Sequence, residues 1–122
     1  MTATQRGAVA ESMVCTWALK QGYIVSFPAR GTAPQYDMVI DSGMFLSRVQ
    51  VKRAHRRKRG AGTELRVSLT DTNGHMYSMY DVERFAIVDV DSGRIWFIPS
   101  TVVEGKAALG LTNGKHDRWL VQ

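Results

Sequence analysis

The stretch YDMVIDSGMFLSRVQVK, residues 36 to 52, mixes apolar and charged positions in an unusual way. Two apolar runs flank the turn residues DSG, which is typical of a β-hairpin. Because side chains alternate along a strand, Gln50 and Lys52 share one face of the second strand with Arg48. Asp37 stands at the start of the first strand. The sequence therefore predicts a polar face on an otherwise apolar hairpin.

The pairing of the two strands decides which of these side chains meet. If the turn spans residues 41 to 44, Ile40 faces Phe45, and Asp37 then lies diagonal to Gln50 on the same side of the sheet. Diagonal neighbours in a sheet are about 7–8 Å apart at Cα, a gap that one metal ion with its ligands can bridge. A slip by one residue would separate them, because it moves every side chain to the other face.

A helix of about residues 4 to 21 precedes the hairpin, and Gly22 is suited to end it. On a helical wheel the apolar side chains fall on one arc, and Glu11 falls inside that arc. An unpaired buried carboxylate is unfavourable, so Glu11 needs a cation, a metal ion or a hydrogen-bond donor. A structural ion pair, or a glutamate near the helix start that reaches solvent, would satisfy it equally well.

The rest of the sequence consists mainly of short strand patterns separated by turn residues. A helix followed mostly by strands predicts one α/β domain with a mixed β-sheet over residues 1–122. The segment from Lys106 onward shows no clear pattern, so its secondary structure is not predicted. The strand patterns are YIVSF (23–27), TELRVSLT (63–70), RFAIVDV (84–90) and RIWFIP (94–99), and STVVEG (100–105) can form one helical turn capped by Ser100.

The run KRAHRRKR, residues 52 to 59, contains six of the 16 lysines and arginines of a chain with a formal net charge of +5. The glycines just after it favour a mobile loop. Such a run is either a solvated loop alone or a patch that binds nucleic acid. Its position directly after the polar hairpin favours the nucleic-acid interpretation, because a basic surface attracts polyanions.

Composition excludes several other classes. Cys15 is the only cysteine, which excludes an intrachain disulfide and a zinc site built from cysteines. No apolar run approaches the length of a transmembrane helix, and the N-terminal residues do not resemble a secretory signal. We therefore expect an intracellular, cytoplasmic protein with no membrane partner.

Glu11 on the first helix, Asp37 in YD and the QVK at residues 50 to 52 together resemble the motifs of the PD-(D/E)XK nuclease superfamily. The resemblance covers roughly residues 6 to 100. It is similar in particular to archaeal-type Holliday junction resolvases and to intron-encoded homing endonucleases that carry Gln in the third motif. The resemblance implies an α/β restriction-endonuclease-like core, with a mixed β-sheet flanked by helices.

The resemblance also implies roles for the residues of the polar face. Asp37 would be the main ligand of Mg²⁺, with Mn²⁺ able to substitute, and the backbone carbonyl of Val51 would be a second ligand. Glu11 would act directly or through water, and the amide oxygen of Gln50 would stand where the family carries an acid. Lys52 would hold the attacking water or the scissile phosphate as a point charge. We therefore expect Glu11, Asp37, Gln50 and Lys52 to be the catalytic set.

The expected partner is DNA, branched or duplex, bound by cationic and polar side chains. A chain of this size that cuts both strands is expected to do so as a homodimer or higher symmetric homo-oligomer. The expected DNA-binding residues are Arg6, Arg30, Thr32, Arg53, His55, Arg56, Arg57, Lys58 and Arg59.

The expected activity is metal-dependent hydrolysis of phosphodiester bonds in DNA. A Holliday junction resolvase acting in DNA recombination is favoured, because no segment resembles an added element for base recognition. The alternatives are a sequence-specific homing-type endonuclease, of phage or mobile-element origin, and a catalytically inactive DNA-binding module of the same fold.

Overall fold

The structure, a computed structural model, describes residues 1–32 and 34–122. This part of the chain contains one α-helix, eight β-strands and two short 3-10 helices. Their bounds are α1 (Ala3–Lys20), β1 (Ile24–Ser26), β2 (Met38–Asp41), β3 (Leu46–Arg53), β4 (His55–Arg59), β5 (Gly62–Ser68), β6 (Arg84–Asp89), β7 (Arg94–Pro99), η1 (Ser100–Val103), β8 (Ala108–Gly110) and η2 (Asp117–Trp119).

The strands form two sheets. The first has the order β1-β2-β3-β6-β7 and is antiparallel except for the parallel pair β3–β6. The second has the order β4-β5-β8 and is antiparallel throughout. The expected α/β fold with a mixed sheet is confirmed. In the described residues one α-helix covers one face of the first sheet, and the second sheet covers part of the other face.

Helix α1 follows the sequence prediction to within one residue at each end. Thr2 caps it through a reciprocal pair of hydrogen bonds with Gln5, and Gly22 ends it with a φ of 81°. Its buried stripe packs on the first sheet, where burying a side chain such as Val14 contributes about 1.5–3 kcal/mol. None of the described helices combines the length and the apolar character needed to span a membrane.

Strand β6 is buried on both faces and separates two apolar cores. On one side Ala86 and Val88 pack under α1, and on the other Phe85 and Ile87 pack against the second sheet. In the β3–β6 register Gln50 lies opposite Phe85 and Lys52 opposite Ile87, so the Gln50 and Lys52 side chains share the face that packs against the second sheet. The β2–β3 hairpin therefore lies between a helix and a second sheet.

The predicted register of the β2–β3 hairpin is wrong by two residues. Ile40 pairs with Ser47, whereas the prediction paired it with Phe45. The strand extends through Asp41 because the Asp41 carboxylate accepts the Gly43 N–H at 2.8 Å and the Ser42 hydroxyl accepts the Phe45 N–H at 3.1 Å. A shift of two residues preserves the side-chain alternation, so the polar face survives the error.

The predicted mobile loop at residues 53–59 is also wrong. Residues 55–59 form β4, which pairs with β5 through a tight turn at Gly60, whose φ is 61°. Sequence inspection missed this strand because its side chains are almost all cationic, a composition that is rare in strands. The strand is stable with this composition because several of its cationic side chains form ion pairs with carboxylates.

Two features of the C-terminal part complete the fold. The expected cap at Ser100 is absent: η1 forms, but its first residues show no side-chain cap. The end of the segment whose secondary structure the sequence does not predict, residues 106 to 122, covers the outer edge of β7. There Val121 donates its N–H to the Ile95 carbonyl at 2.9 Å, and Ile95 donates its N–H to the Gln122 carbonyl at 2.8 Å. An edge that would otherwise be open to pairing is thereby covered.

Candidate active site

The four residues expected to bind a metal line one open pocket of about 390 Å³ between α1 and the C-terminal half of β3. The helix side of this pocket is formed mostly by small residues, which leave the space free. The lining residues are Thr4, Gly7, Ala8, Ala10, Glu11, Asp37, Gln50, Val51 and Arg53.

Asp37 is held in this pocket by the backbone of β3. Its N–H donates to the Val49 carbonyl at 2.8 Å, although Met38 is the residue paired with Val49. Two residues thus oppose one, as in a β-bulge, and such bulges re-aim side chains next to active sites. The Asp37 Oδ2 atom accepts the Val51 N–H at 2.7 Å. Because the N–H and C=O of a strand residue point to the same side, the Val51 carbonyl is directed towards the side where Asp37 lies.

Glu11 lies at the rim of the pocket next to Asp37. Partial burial, the negative charge of Asp37 and a hydrogen bond between the two carboxyl groups raise the pKa of Glu11 to about 7. The expectation that Glu11 sits inside the buried arc is wrong, because the side chain is exposed. The buried stripe of α1 passes beside position 11, through Ala10 and Val14, and the open pocket lets Glu11 reach solvent and Asp37 at once.

These groups fit a divalent cation. Two neighbouring carboxylates disfavour double ionisation unless a proton or a cation is shared between them. Together with the Gln50 amide oxygen and the Val51 carbonyl they form a set of oxygen donors, which Mg²⁺ prefers. No three His, Cys, Asp or Glu side chains gather as a metal site in the described residues. The third acid is absent because Gln50 occupies its place.

Lys52 lies beside the pocket and is not one of its lining residues. Its Nζ atom donates to the Thr70 carbonyl at 2.8 Å and lies 5.4 Å from the centroid of the Tyr77 ring. Burial lowers the pKa of Lys52, while the charges of Asp37 and Asp71 act in the opposite direction. An ammonium group has three donors, so the bond to Thr70 leaves donors for a phosphate or a water molecule.

Sequence reasoning missed the neighbours of Lys52. Thr70, Asp71 and Tyr77 come from the segment between β5 and β6, far from Lys52 in sequence. Asp71 shapes this segment by accepting the N–H groups of Asn73 and His75 at 2.9 and 3.0 Å. The turn pattern Asn-Gly was visible in the sequence, but no local signal connects that turn to Lys52.

Arg48, the other cation of residues 36 to 52, has a structural partner. Its guanidinium and its backbone N–H both bond the carboxylate of Glu83, which precedes β6. This bidentate pair lowers the pKa of Glu83, chiefly through the hydrogen bond from Arg48 and against the opposing effect of burial. Arg48 therefore joins β3 to the start of β6.

The expected DNA-binding residues occupy several different places. Arg53 lines the pocket beside Glu11 and Asp37, which places a cation at the site itself. Arg6 is exposed on α1, and Arg30 is exposed in the loop after β1. The Thr32 hydroxyl donates to the Ala29 carbonyl at 2.6 Å, so this residue stabilises its own turn.

The five residues of β4 are all exposed, yet they differ in their partners. Arg56 donates to Asp89 at 2.7 Å and to Asp91 at 3.1 Å. The other two arginines share the buried carboxylate of Glu64, as Arg57 Nε lies at 3.2 Å and Arg59 Nη1 at 3.3 Å from its oxygens. The remaining residues of the strand are His55 and Lys58.

Comparison with known proteins identifies the fold and the family. A solved structure described as a bacterial homing endonuclease, I-Ssp6803I, matches with a TM-score of 0.73 and 23% sequence identity, covering 90% of this chain and 75% of that chain. At this identity the likeness shows the fold alone. No curated protein matches the sequence significantly. A family model described as PD-(D/E)XK endonuclease matches residues 1–115. Because this match spans nearly the whole sequence, the chain belongs to the PD-(D/E)XK endonuclease family.

Proposed function

We propose that the protein is a divalent-metal-dependent endonuclease that hydrolyses phosphodiester bonds in DNA at the pocket between α1 and β3. One observation carries this proposal: Glu11 and Asp37 line one pocket with Gln50 and Val51, and the charge of Asp37 contributes to the raised pKa of Glu11. Nucleases of this family generally use divalent metal ions, and the oxygen-rich donor set suits Mg²⁺, with Mn²⁺ as a substitute. We propose that Glu11, Asp37, Gln50 and the Val51 carbonyl hold the metal.

When bound, the metal supplies positive charge next to the phosphate and lowers the pKa of water. The protein supplies the other functions. Asp37 is held rigidly by the Val51 N–H, which fixes one carboxylate oxygen and leaves the other for the site. Lys52, anchored at Thr70, orients the scissile phosphate or the attacking water with its remaining donors. Arg53 at the pocket wall neutralises the adjacent phosphate.

The structure favours duplex DNA over branched DNA as the proposed substrate. The sequence analysis favoured a branched-DNA resolvase because no added segment for base recognition was visible. The β4–β5 hairpin and β8 now form a separate sheet with a cationic strand directly after the site. A two-stranded β-ribbon fits the major groove of duplex DNA. We therefore propose cleavage of duplex DNA at a recognised sequence, and the similar solved structure is itself described as a homing endonuclease.

A cleavage panel tests both parts of the proposal. Wild-type protein is mixed with Mg²⁺, Mn²⁺ or a chelator and with a duplex library, a four-way junction, a flap or a single strand. We expect cleavage only with metal, with cut ends of the duplex library that share one sequence. Paired nicks at a four-way junction of any sequence would instead establish the resolvase. Binding without cutting under either metal would establish the inactive DNA-binding module.

We also propose that the protein acts inside the cell as a symmetric homodimer, since DNA is its substrate and cutting both strands is simplest with two related sites. Residues 1–122 would form one nuclease domain. Light scattering during gel filtration, with and without duplex DNA, measures the oligomeric state. A monomer in both conditions would overturn the homodimer.

A further inference from the structure

The outer face of the three-stranded sheet concentrates arginine side chains around one acid. In the β4–β5 register Arg57 pairs with Glu64, while Arg56 pairs with Leu65. Leu65 belongs to the core between the two sheets, so strand alternation directs Arg57 and Glu64 to the opposite, outer face. Arg59 lies on the same face, two residues from Arg57.

Glu64 is buried beneath these arginines, with 8% of the residue exposed. Its Oε2 atom lies 3.2 Å from Arg57 Nε, and its Oε1 atom lies 3.3 Å from Arg59 Nη1 and 3.8 Å from Arg66 Nη1. Gly110 on the neighbouring strand β8 makes the space for this carboxylate, because a Cβ atom there would lie 2.9 Å from Glu64 Oε1. One carboxylate therefore orders three guanidinium groups.

Arg57 and Arg59 keep most of their N–H donors available for a ligand. The Arg57 and Arg59 side chains are 52% and 73% exposed, and each guanidinium has five N–H donors, of which Glu64 uses few. Three positive charges around one negative charge leave an excess of two. Arg56 differs, because two carboxylates on the other side of the strand already neutralise it.

Arg57 and Arg59 present two guanidinium groups together on the outer face. Both groups converge on the Glu64 carboxylate, since Arg57 Nε lies 3.2 Å from Oε2 and Arg59 Nη1 lies 3.3 Å from Oε1. Guanidinium groups bind phosphates and guanine edges in bidentate fashion, and holding them in place beforehand reduces the entropy lost on binding.

We propose that Glu64 is a positioning residue that holds Arg57 and Arg59 in the arrangement with which the outer face of the β4–β5 sheet binds the DNA substrate. Arg56, their neighbour in sequence, serves the fold instead. The proposal rests on the proposed function in one respect, because it takes duplex DNA as the substrate. It does not depend on cleavage, so binding in the absence of metal tests it separately.

Gly110→Ala is the sharpest test, because it moves the Glu64 carboxylate without changing any charge. Gly110 has no positive φ, and the atom in the way is the end of a flexible side chain, so the fold should survive. We expect the affinity for a labelled duplex, measured by fluorescence anisotropy in a chelator, to fall roughly fivefold with an unchanged Tm, and the salt dependence to become shallower. Gly62→Ala in the same hairpin is the matched control, since a Cβ atom there meets nothing within 4 Å.

Glu64→Gln gives an independent test through the sign of its effect. This change adds one unit of net positive charge, which alone would tighten DNA binding. If Glu64 positions the arginines, binding weakens despite the added charge. Glu64→Asp keeps the charge but cannot span both arginines, so its affinity should fall between those of the wild type and Glu64→Gln. Tighter or unchanged binding by Glu64→Gln would overturn the positioning role.

The arginines themselves complete the test. Arg57→Gln with Arg59→Gln should reduce the affinity roughly tenfold per lost contact and lower the slope of log affinity against log salt by about 0.9 per contact. If this double variant and Gly110→Ala both bind like the wild type, the inference fails while DNA cleavage can still hold. If the wild type binds no DNA of any kind, the proposed function fails instead.

Discussion

Two carboxylate sites in this molecule have opposite electrostatic characters. At the pocket, partial burial and the neighbouring Asp37 raise the pKa of Glu11 to about 7. In the three-stranded sheet, burial acts to raise the pKa of Glu64, but the hydrogen bond from Arg57 and the charges of the surrounding arginines outweigh it and lower the pKa below its usual value. Both acids lie next to charged neighbours, and the sign of the neighbour decides the outcome.

The difference separates an acid whose interacting neighbour is another acid from an acid whose neighbours are arginines. Glu11 and Asp37 repel each other when both are ionised, and an added cation relieves that repulsion. Glu64 gains nothing from an added cation, because the protein supplies its own. A strongly raised pKa in a pocket is a feature by which candidate functional sites are chosen, while the lowered pKa of Glu64 accompanies its ion pairs with arginines.

Among single substitutions, removal of one pocket carboxylate should have the largest effect, and it acts on the rate of DNA cleavage. We expect Asp37→Asn to reduce metal-dependent cleavage by roughly a thousandfold, because the proposed main metal ligand loses its charge. The fold should survive, since an asparagine oxygen can still accept the Val51 N–H. Gel assays of DNA cleavage measure the rate, and Asp81→Asn, at an exposed position, is the control. Wild-type cleavage by Asp37→Asn would remove Asp37 from the catalytic set.

A third carboxylate in the pocket should increase the difference in charge between the pocket and the arginine cluster around Glu64. We expect Gln50→Glu to retain activity and to bind Mg²⁺ roughly tenfold more tightly, because it adds charge among the donors. Gln50→Ala should weaken metal binding by a similar factor. Isothermal titration of metal into the protein measures both. Equal metal affinity in all three proteins would show that Gln50 is not a ligand.

Asp89 is another carboxylate paired with arginine. Its side chain is 3% exposed, and Arg56 donates to both of its oxygens, while the Ser92 hydroxyl donates to Oδ2 at 2.6 Å. We expect Arg56→Gln to lower the Tm by about 5 °C, because a buried carboxylate loses its bidentate donor. Arg57→Gln, one residue away on the outer face, should change the Tm little and DNA affinity more. Thermal denaturation of both variants compares them, and the reverse pattern would contradict the assignment of the two faces.

The smallest expected effect concerns pH. The folded-state pKa of Glu11, about 7, lies above its ordinary value of 4.5, so the folded protein holds this proton more tightly than the unfolded chain. The stability of the metal-free protein should therefore fall as the pH rises from 4.5 through 7, and Glu11→Gln should remove that fall. Because Glu11 is exposed, the difference in Tm should be only about 1–2 °C. Glu104→Gln is the control, and an identical pH profile in wild type and Glu11→Gln would refute the coupling.

Local patterns in the sequence were sufficient for much of the fold and for the choice of site residues. Gly22 and the helical periodicity delimit α1, because these signals act within a few residues, and the structure adds the cap at Thr2. Strand alternation puts Gln50 and Lys52 on one face whatever the register. The motif resemblance then directed attention to Glu11 and Asp37, and the structure brings both into one pocket with Gln50.

Tertiary structure decided the strand register, the backbone geometry at Asp37 and the partners of the cationic side chains, which strand alternation and residue spacing do not specify. The bulge at Asp37 and the true β2–β3 register depend on backbone bonds to Val49 and on the side chains of the turn. Strand β4 exists because its arginines find Glu64, Asp89 and Asp91, and the last two are more than 30 residues away. The sequence by itself determined that cations gather after the polar strand. Only the packing of two sheets decided which of them neutralise buried acids and which remain exposed, because that depends on partners that no local pattern specifies.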